Sequence, residues 1–155
     1  MKHFVMLIGL PASGKSTQAA LFPDYVRLST DQIVEDYAKS VGKTYNEVFY
    51  EVIKKATYTM DRQFEESLKL GENIILDRTN LTIKGRHKFL IKVPEDYKKT
   101  AIIMSCNDEL TRTRNEERAE YGRNIPESVL KSMAHSMVYP RISEGFNEVF
   151  HVFGE

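Results

Sequence analysis

The chain has 155 residues, the length of about one domain; it can bury a sizeable single core and leaves no room for a second catalytic domain, so residues 1–155 are expected to form one unit. Its 22 Lys and Arg side chains are balanced by 22 Asp and Glu, which excludes net charge as a source of nucleic-acid attraction and leaves only local asymmetry. A single cysteine, Cys106, excludes an internal disulfide and is expected as a buried thiol ending a strand, and the brief N-terminal apolar run suits neither a signal peptide nor a membrane span, so a soluble cytoplasmic protein is expected.

Strand-like and helix-like segments alternate, which predicts an α/β fold: a doubly wound parallel sheet of four to five strands with crossover helices. Residues 3–8 read as the first strand. It breaks into Gly9-Leu10-Pro11-Ala12-Ser13-Gly14-Lys15-Ser16-Thr17, where Gly9, Gly14, Lys15 and Ser16 fit the pattern G-x-x-x-x-G-K-[ST] between a buried strand and a helix start. The glycines allow a loop whose N–H groups point inward as an anion nest at a helix N-terminus. A nucleoside triphosphate fits such a nest, with Gly9, Ser13, Gly14, Lys15, Ser16 and Thr17 as the expected nucleotide-binding residues. Lys15 would reach the β- and γ-phosphates, the Ser16 hydroxyl would take one position on Mg²⁺, and Thr17 continues the helix. The loop makes the fold a P-loop NTPase, with ATP or another NTP and Mg²⁺ as its cofactors.

That helix should run over residues 15–22 and stop near Pro23, with a short strand at 25–28. Ser29 or Thr30 can cap a helix over 31–41, which Gly42 ends. Thr44 and Glu47 have capping-box spacing and open a long helix closed by Gly71; its Phe49, Val52, Ile53, Ala56, Met60, Phe64 and Leu68 form a core stripe. Residues 73–76 read as a buried strand, 82–92 as a helix ended by Pro94, and 98–105 as a fourth strand. A charged helix begins at Asp108, a turn falls at 121–124, and Pro126 is expected at the first position of a helix running to about Met137. Residues 148–153 alternate as a fifth strand.

Ligands of doubly wound sheets bind beyond the carboxyl ends of the strands, which singles out residues 9–16, 29–31, 77–80 and 106–108. Asp31 would face the loop across the cleft, either as a carboxylate taking a proton from an attacking hydroxyl or as a helix-terminal charge. Asp77 ends an apolar run, as the acid that acts on Mg²⁺ or orients an acceptor does, or it is a turn residue. Arg114 and Arg118 share one helix face beside the Gly122 turn; they suit either a lid that neutralises transferring phosphate or a salt-bridged surface with Glu116, Glu117 and Glu120. The four histidines have no metal-ligand spacing.

In these segments the sequence resembles the polynucleotide 5′-hydroxyl kinases, both the phage-type enzyme and the kinase domain of the animal kinase/phosphatase. The likeness is carried by residues 9–17, Ser29-Thr30-Asp31, Asp77-Arg78-Thr79-Asn80 with Arg86, Arg114-Asn115-x-x-Arg118, Ile125-Pro126, Val129-Leu130, and Pro140 with Glu144-Gly145-Phe146. The resemblance implies an ATP-dependent kinase acting on a nucleic-acid 5′-hydroxyl. It makes Asp31 the general base, gives NTP·Mg²⁺ to Lys15 and Ser16, and sets Arg118 on the transferring phosphate. Asp77, with Thr79 and Asn80, falls on the acceptor side. Val34 stands where the phage-type kinases carry an arginine for an acceptor phosphate; it is expected in the acceptor channel, with Lys39, Lys43 or Arg62 as substitutes. Val34 and the zero net charge leave open a small hydroxylated acceptor, such as a nucleoside, a sugar or a modified-base hydroxyl. A nucleotide-binding module without transfer activity is a third reading.

Overall fold

Alternation inside the first apolar run decides the layers. In β1 (Lys2–Ile8), Phe4, Met6 and Ile8 enter one core, while Val5 and Leu7 enter the core on the opposite face. A strand buried on both faces must be central, and in the computed structural model, which describes residues 1–105 and 108–153, β1 is the middle strand of a five-stranded sheet. Its companions are β2 (Val26–Leu28), β3 (Ile74–Asp77), β4 (Tyr97–Ser105) and β5 (Glu148–Phe153), all parallel, in the order β2-β3-β1-β4-β5.

The chain after β1 forms α1 (Lys15–Ala19), shorter than expected because, ahead of Pro23, Leu21 and Phe22 bond three residues back, to Gln18 and Ala19, instead of continuing the α ladder. α2 (Thr30–Ser40) is capped by Ser29, whose Oγ accepts from the Gln32 N–H at 3.1 Å. α3 (Tyr45–Lys69) opens on the expected capping box: the Glu47 N–H donates to Thr44 Oγ1 and the Thr44 N–H to Glu47 Oε1. α3 lays Met60 and Phe64 on Phe4, Leu76 and Phe89, and its first half packs Val48 and Ala56 on Val34 and Ala38 of α2.

α4 (Ile83–Leu90), capped by Thr82, adds Phe89 and Leu90 to the larger core. α5 (Asp108–Arg118) and α6 (Glu127–Ser136) make a helical hairpin, and Pro126 caps α6 rather than occupying its first turn, with extended backbone at ψ 139°. The hairpin is stapled by Asn115, whose side chain donates to the Ile125 carbonyl at 2.7 Å and accepts from the Ile125 N–H at 2.8 Å. The readings placed on Cys106 and on the side chains of residues 107 and 108 lie outside the described residues. Among the described residues, no helix is long and apolar enough to cross a membrane.

Candidate active site

Backbone geometry builds the loop at the end of β1. A Cβ on Gly9 would lie 2.7 Å from Ser13 Oγ and 2.8 Å from the Met104 carbonyl, so the loop can lie this close to β4 only with glycine there. Gly14 takes φ +99° at the start of α1, and Ala12 is also left-handed at φ +66°. The Gly9 N–H donates to the Thr79 carbonyl at 3.0 Å, fastening the loop to the segment after β3.

A cavity of about 380 Å³ opens over this loop at the carboxyl ends of the strands. Gly14, Lys15, Ser16 and Thr17 form its floor, Asp31 faces them from α2, Asp77 and Thr79 come from β3 and the loop after it, and Arg114 and Arg118 come from α5. Among the described residues lining it, five cationic side chains (Lys15, Arg27, Arg114, Arg118, Arg123) meet three carboxylates (Asp31, Asp77, Glu117). The protein is neutral overall, yet its cleft is cationic, which is the local asymmetry a polyanion needs.

Lys15 Nζ donates to the Gly9 and Leu10 carbonyls at 3.0 and 2.8 Å. Loss of water around the ammonium pushes its pKa down to about 8, with Asp77 and Asp31 pulling upward and Arg118 and Arg123 opposing them. The Arg118 guanidinium is also disfavoured, first by burial and then by Arg123. Both cations are therefore placed where an arriving phosphate restores the balance. Arg114 reaches the loop itself, donating to the Ala12 carbonyl at 3.3 Å.

Asp31 lies on the first turn of α2 with its carboxylate in the cleft, accepting from the Tyr45 hydroxyl at 2.7 Å, with Arg123 Nη2 3.9 Å from Oδ2. Arg123 also pairs with Glu35 at 3.5 Å and lies over the Tyr45 ring, 5.1 Å from its centroid. The Tyr45 phenol is driven well above its ordinary pKa, chiefly by burial and then by the Asp31 carboxylate, so it stays protonated and donating.

Asp77 is nearly buried and is held by Arg27, whose Nε and Nη2 reach Oδ2 at 3.0 and 2.5 Å; the same Nη2 lies 3.3 Å from Ser16 Oγ. A carboxylate and a hydroxyl thus converge on a point that already accepts a positive group. These hard oxygen donors fit Mg²⁺, which takes few protein ligands and completes its shell with phosphate and water. Among the described residues, no cluster of three His, Cys, Asp or Glu could hold a metal alone.

Four expected site residues do not line the cleft: Gly9, whose N–H is taken by the Thr79 carbonyl, and Val34, Asn80 and Ser13. Val34 is fully buried between α2 and α3 in contact distance of the apolar cluster around Val48 and Ala56, because the helix turn that exposes Asp31 directs position 34 inward; it does not line an acceptor channel. Asn80, at φ +48°, is buried: its amide donates to the Leu7 carbonyl at 2.7 Å and its own carbonyl accepts from Arg86, so it joins the loop to β1 rather than meeting an acceptor. The Ser13 side chain lies beneath the loop against Gly9, away from the cavity wall. Three residues of the site carry no role in the sequence: Arg27 and Arg123, which line the cavity, and Tyr45, which holds Asp31 from beside it. Arg27 is a lone charge in a three-residue strand, Tyr45 was absorbed into a capping signal, and Arg123 into a turn; only Arg27 carried a signal, since a cation inside a strand needs a partner.

Strand order β2-β3-β1-β4-β5, a phosphate-type loop after β1 and an arginine-bearing helical hairpin define the P-loop kinase-like fold. The chain belongs to the AAA domain family, whose sequence model matches residues 4–140. It is 28% identical over 155 residues to the bifunctional polynucleotide phosphatase/kinase of Schizosaccharomyces pombe, covering 97% of this chain and 33% of that protein. The chain spans a third or less of the length of the curated relatives it matches. Among solved structures, a candidate kinase from Chloroflexus aurantiacus superposes with a TM-score of 0.71 at 20% identity, covering 98% of this chain and 85% of that one. A gluconokinase from Sinorhizobium meliloti gives 0.58 at 17% identity, with 97% and 82% covered. These two likenesses establish the fold.

Proposed function

We propose that the protein transfers the γ-phosphoryl group of ATP to a 5′-hydroxyl of a polynucleotide, with Asp31 as general base. The observation that carries the reading is the Asp31 carboxylate facing the phosphate loop across a cationic cleft, held by Tyr45 and approached by Arg123. Lys15 and the loop amides would bind the β- and γ-phosphates, and Arg118 would meet the transferring group from the lid. The acceptor oxygen bonds to phosphorus, its proton passes to Asp31, and the bond to the β–γ bridging oxygen breaks to release ADP. Mg²⁺, held by Ser16 directly and by Asp77 directly or through water, would supply charge neutralisation on the phosphates. Thr79, which lines the same cavity as Asp77, would contact the acceptor. The relative named a polynucleotide phosphatase/kinase supports the nucleic-acid acceptor.

A small hydroxylated acceptor draws on a different observation: α2 brings Asp31 and Gln32 to the cavity but, among the described residues, no cation. Labelled-ATP transfer to 5′-hydroxyl oligonucleotides, nucleosides and sugars separates the two. Transfer to oligonucleotides is expected, and efficient phosphorylation of a sugar or nucleoside with none of any oligonucleotide overturns it. Asp31→Asn should lower turnover by roughly 10²–10⁴-fold while leaving ATP binding, measured by titration, unchanged. Normal turnover with lost ATP affinity would move Asp31 from the base role to the nucleotide site.

A further inference from the structure

The groups suited to a divalent cation are Ser16 Oγ and the Asp77 carboxylate, and both are touched by one nitrogen of Arg27. Arg27 reaches them from β2, the edge strand, as its one charged residue; its neighbours Val26 and Leu28 turn the other way, into the core with Met60 and Phe64. Asp77 is almost wholly enclosed, with 7% of its side chain exposed against 37% for Arg27. A carboxylate so enclosed needs a counter-charge at all times. Arg27 provides one, and a metal ion bound at the same oxygens would provide another; a guanidinium and a divalent cation cannot both hold them.

We propose that Arg27 is an internal cation that occupies the metal position of the nucleotide-free protein and is displaced when a nucleotide brings the divalent cation. This rests on the nucleotide-binding reading of the cleft. Displacement costs the Arg27–Asp77 pair, and the metal alone recovers little of that cost. With a nucleotide present, the phosphates complete the metal's shell and offer the released guanidinium new acceptors. Arg27 is thus a positioning residue that makes metal binding depend on nucleotide. Its effect on affinity follows from occupancy: if the guanidinium covers the site about nine-tenths of the time, the apparent Kd for metal alone is raised about tenfold.

The test uses the full chain and Mn²⁺ as probe, titrated by electron paramagnetic resonance of the free ion with and without ADP. Arg27→Gln should bind Mn²⁺ alone about tenfold more tightly than the wild type, and the enhancement of Mn²⁺ affinity by ADP should shrink correspondingly. Arg27→Lys, which keeps a cation, should restore most of the wild-type dependence. A purely structural Arg27 would not tighten metal binding, so equal or weaker Mn²⁺ affinity in Arg27→Gln overturns the proposal. A second measurement needs no variant. The Arg27 Nε–H resonance of the wild type should be unmoved by Mg²⁺ alone at concentrations well below its apparent Kd and shift when ADP is added at the same Mg²⁺, and a resonance that stays in place with both bound also overturns it. If the wild type binds no ADP, the nucleotide reading itself fails; if it binds ADP but either signature of Arg27 is missing, only this inference does.

Discussion

Lys15 is the residue in which the ligand-free site shows its readiness most directly. Its ammonium is desolvated onto two loop carbonyls, and its pKa falls to about 8 from an ordinary value of 10.5. Phosphate oxygens would favour the charged form and raise the pKa in the complex. Between those two values the free protein holds fewer protons than the complex, so binding takes up a proton and affinity falls as pH rises; below about 8 the group is charged in both states and adds no pH dependence. Calorimetric titration with ATP in buffers of different ionisation enthalpy should show proton uptake near pH 9 and little near pH 7. Lys15→Met should bind far more weakly and show no such uptake. A wild-type affinity flat from pH 7 to 10 would separate Lys15 from the phosphates.

At the level of elements, the loop after β3 is held by a buried ion pair. Arg86 on α4 is fully enclosed; Nε and Nη2 donate to the Glu144 carboxylate at 2.8 and 3.1 Å, and Nη1 donates to the Asn80 and Val138 carbonyls, both at 2.9 Å. One side chain therefore gathers the 77–80 loop, α4 and the chain after α6. Glu144→Gln leaves the guanidinium buried without a charge partner and should cost about 3–5 kcal/mol in urea unfolding. A loss below 1 kcal/mol would mean that the pair is not enclosed as described. The sequence marked Arg86 and Glu144 only as parts of a resemblance and Asn80 also as a strand-end residue, and in the structure the three hold the loop together. The positions of strands and helices along the chain were readable because apolar period and caps are local signals, whereas the order β2-β3-β1-β4-β5 was not; residues 148–153 form the fifth strand as expected. Val34 was misplaced because three-residue spacing sets it near Asp31 along the helix but says nothing of α3, which covers that face. Arg27 and Tyr45 meet the site through pairings across 50 and 14 residues, and no local pattern records those.

In the whole molecule, the arginine-bearing hairpin is seated on α3 as well as on the phosphate loop. The Asn46 N–H donates to the Gly122 carbonyl at 2.8 Å, and a Cβ on Gly122, at φ +63°, would come within 2.5 Å of Thr44. Gly122→Ala should therefore lift the turn from α3, and with it Arg118 and Arg123. The loss of one neutral hydrogen bond, about 1.4 kcal/mol, corresponds to release of a fluorescent ADP analogue about tenfold faster in stopped flow. An unchanged release rate would show that the seat does not govern closure.

The Gly9–Thr79 bond has a consequence for how new specificities could be made on this framework. It joins the floor that would cradle the donor and the wall assigned to the acceptor through main chain alone, with no side chain taking part in the bond. Alignment of the two reactants is then inherited with the sheet. A redesign for another hydroxyl compound can be confined to the α2 and α3 surfaces around Asp31 and Tyr45, with the phosphate loop left as it stands.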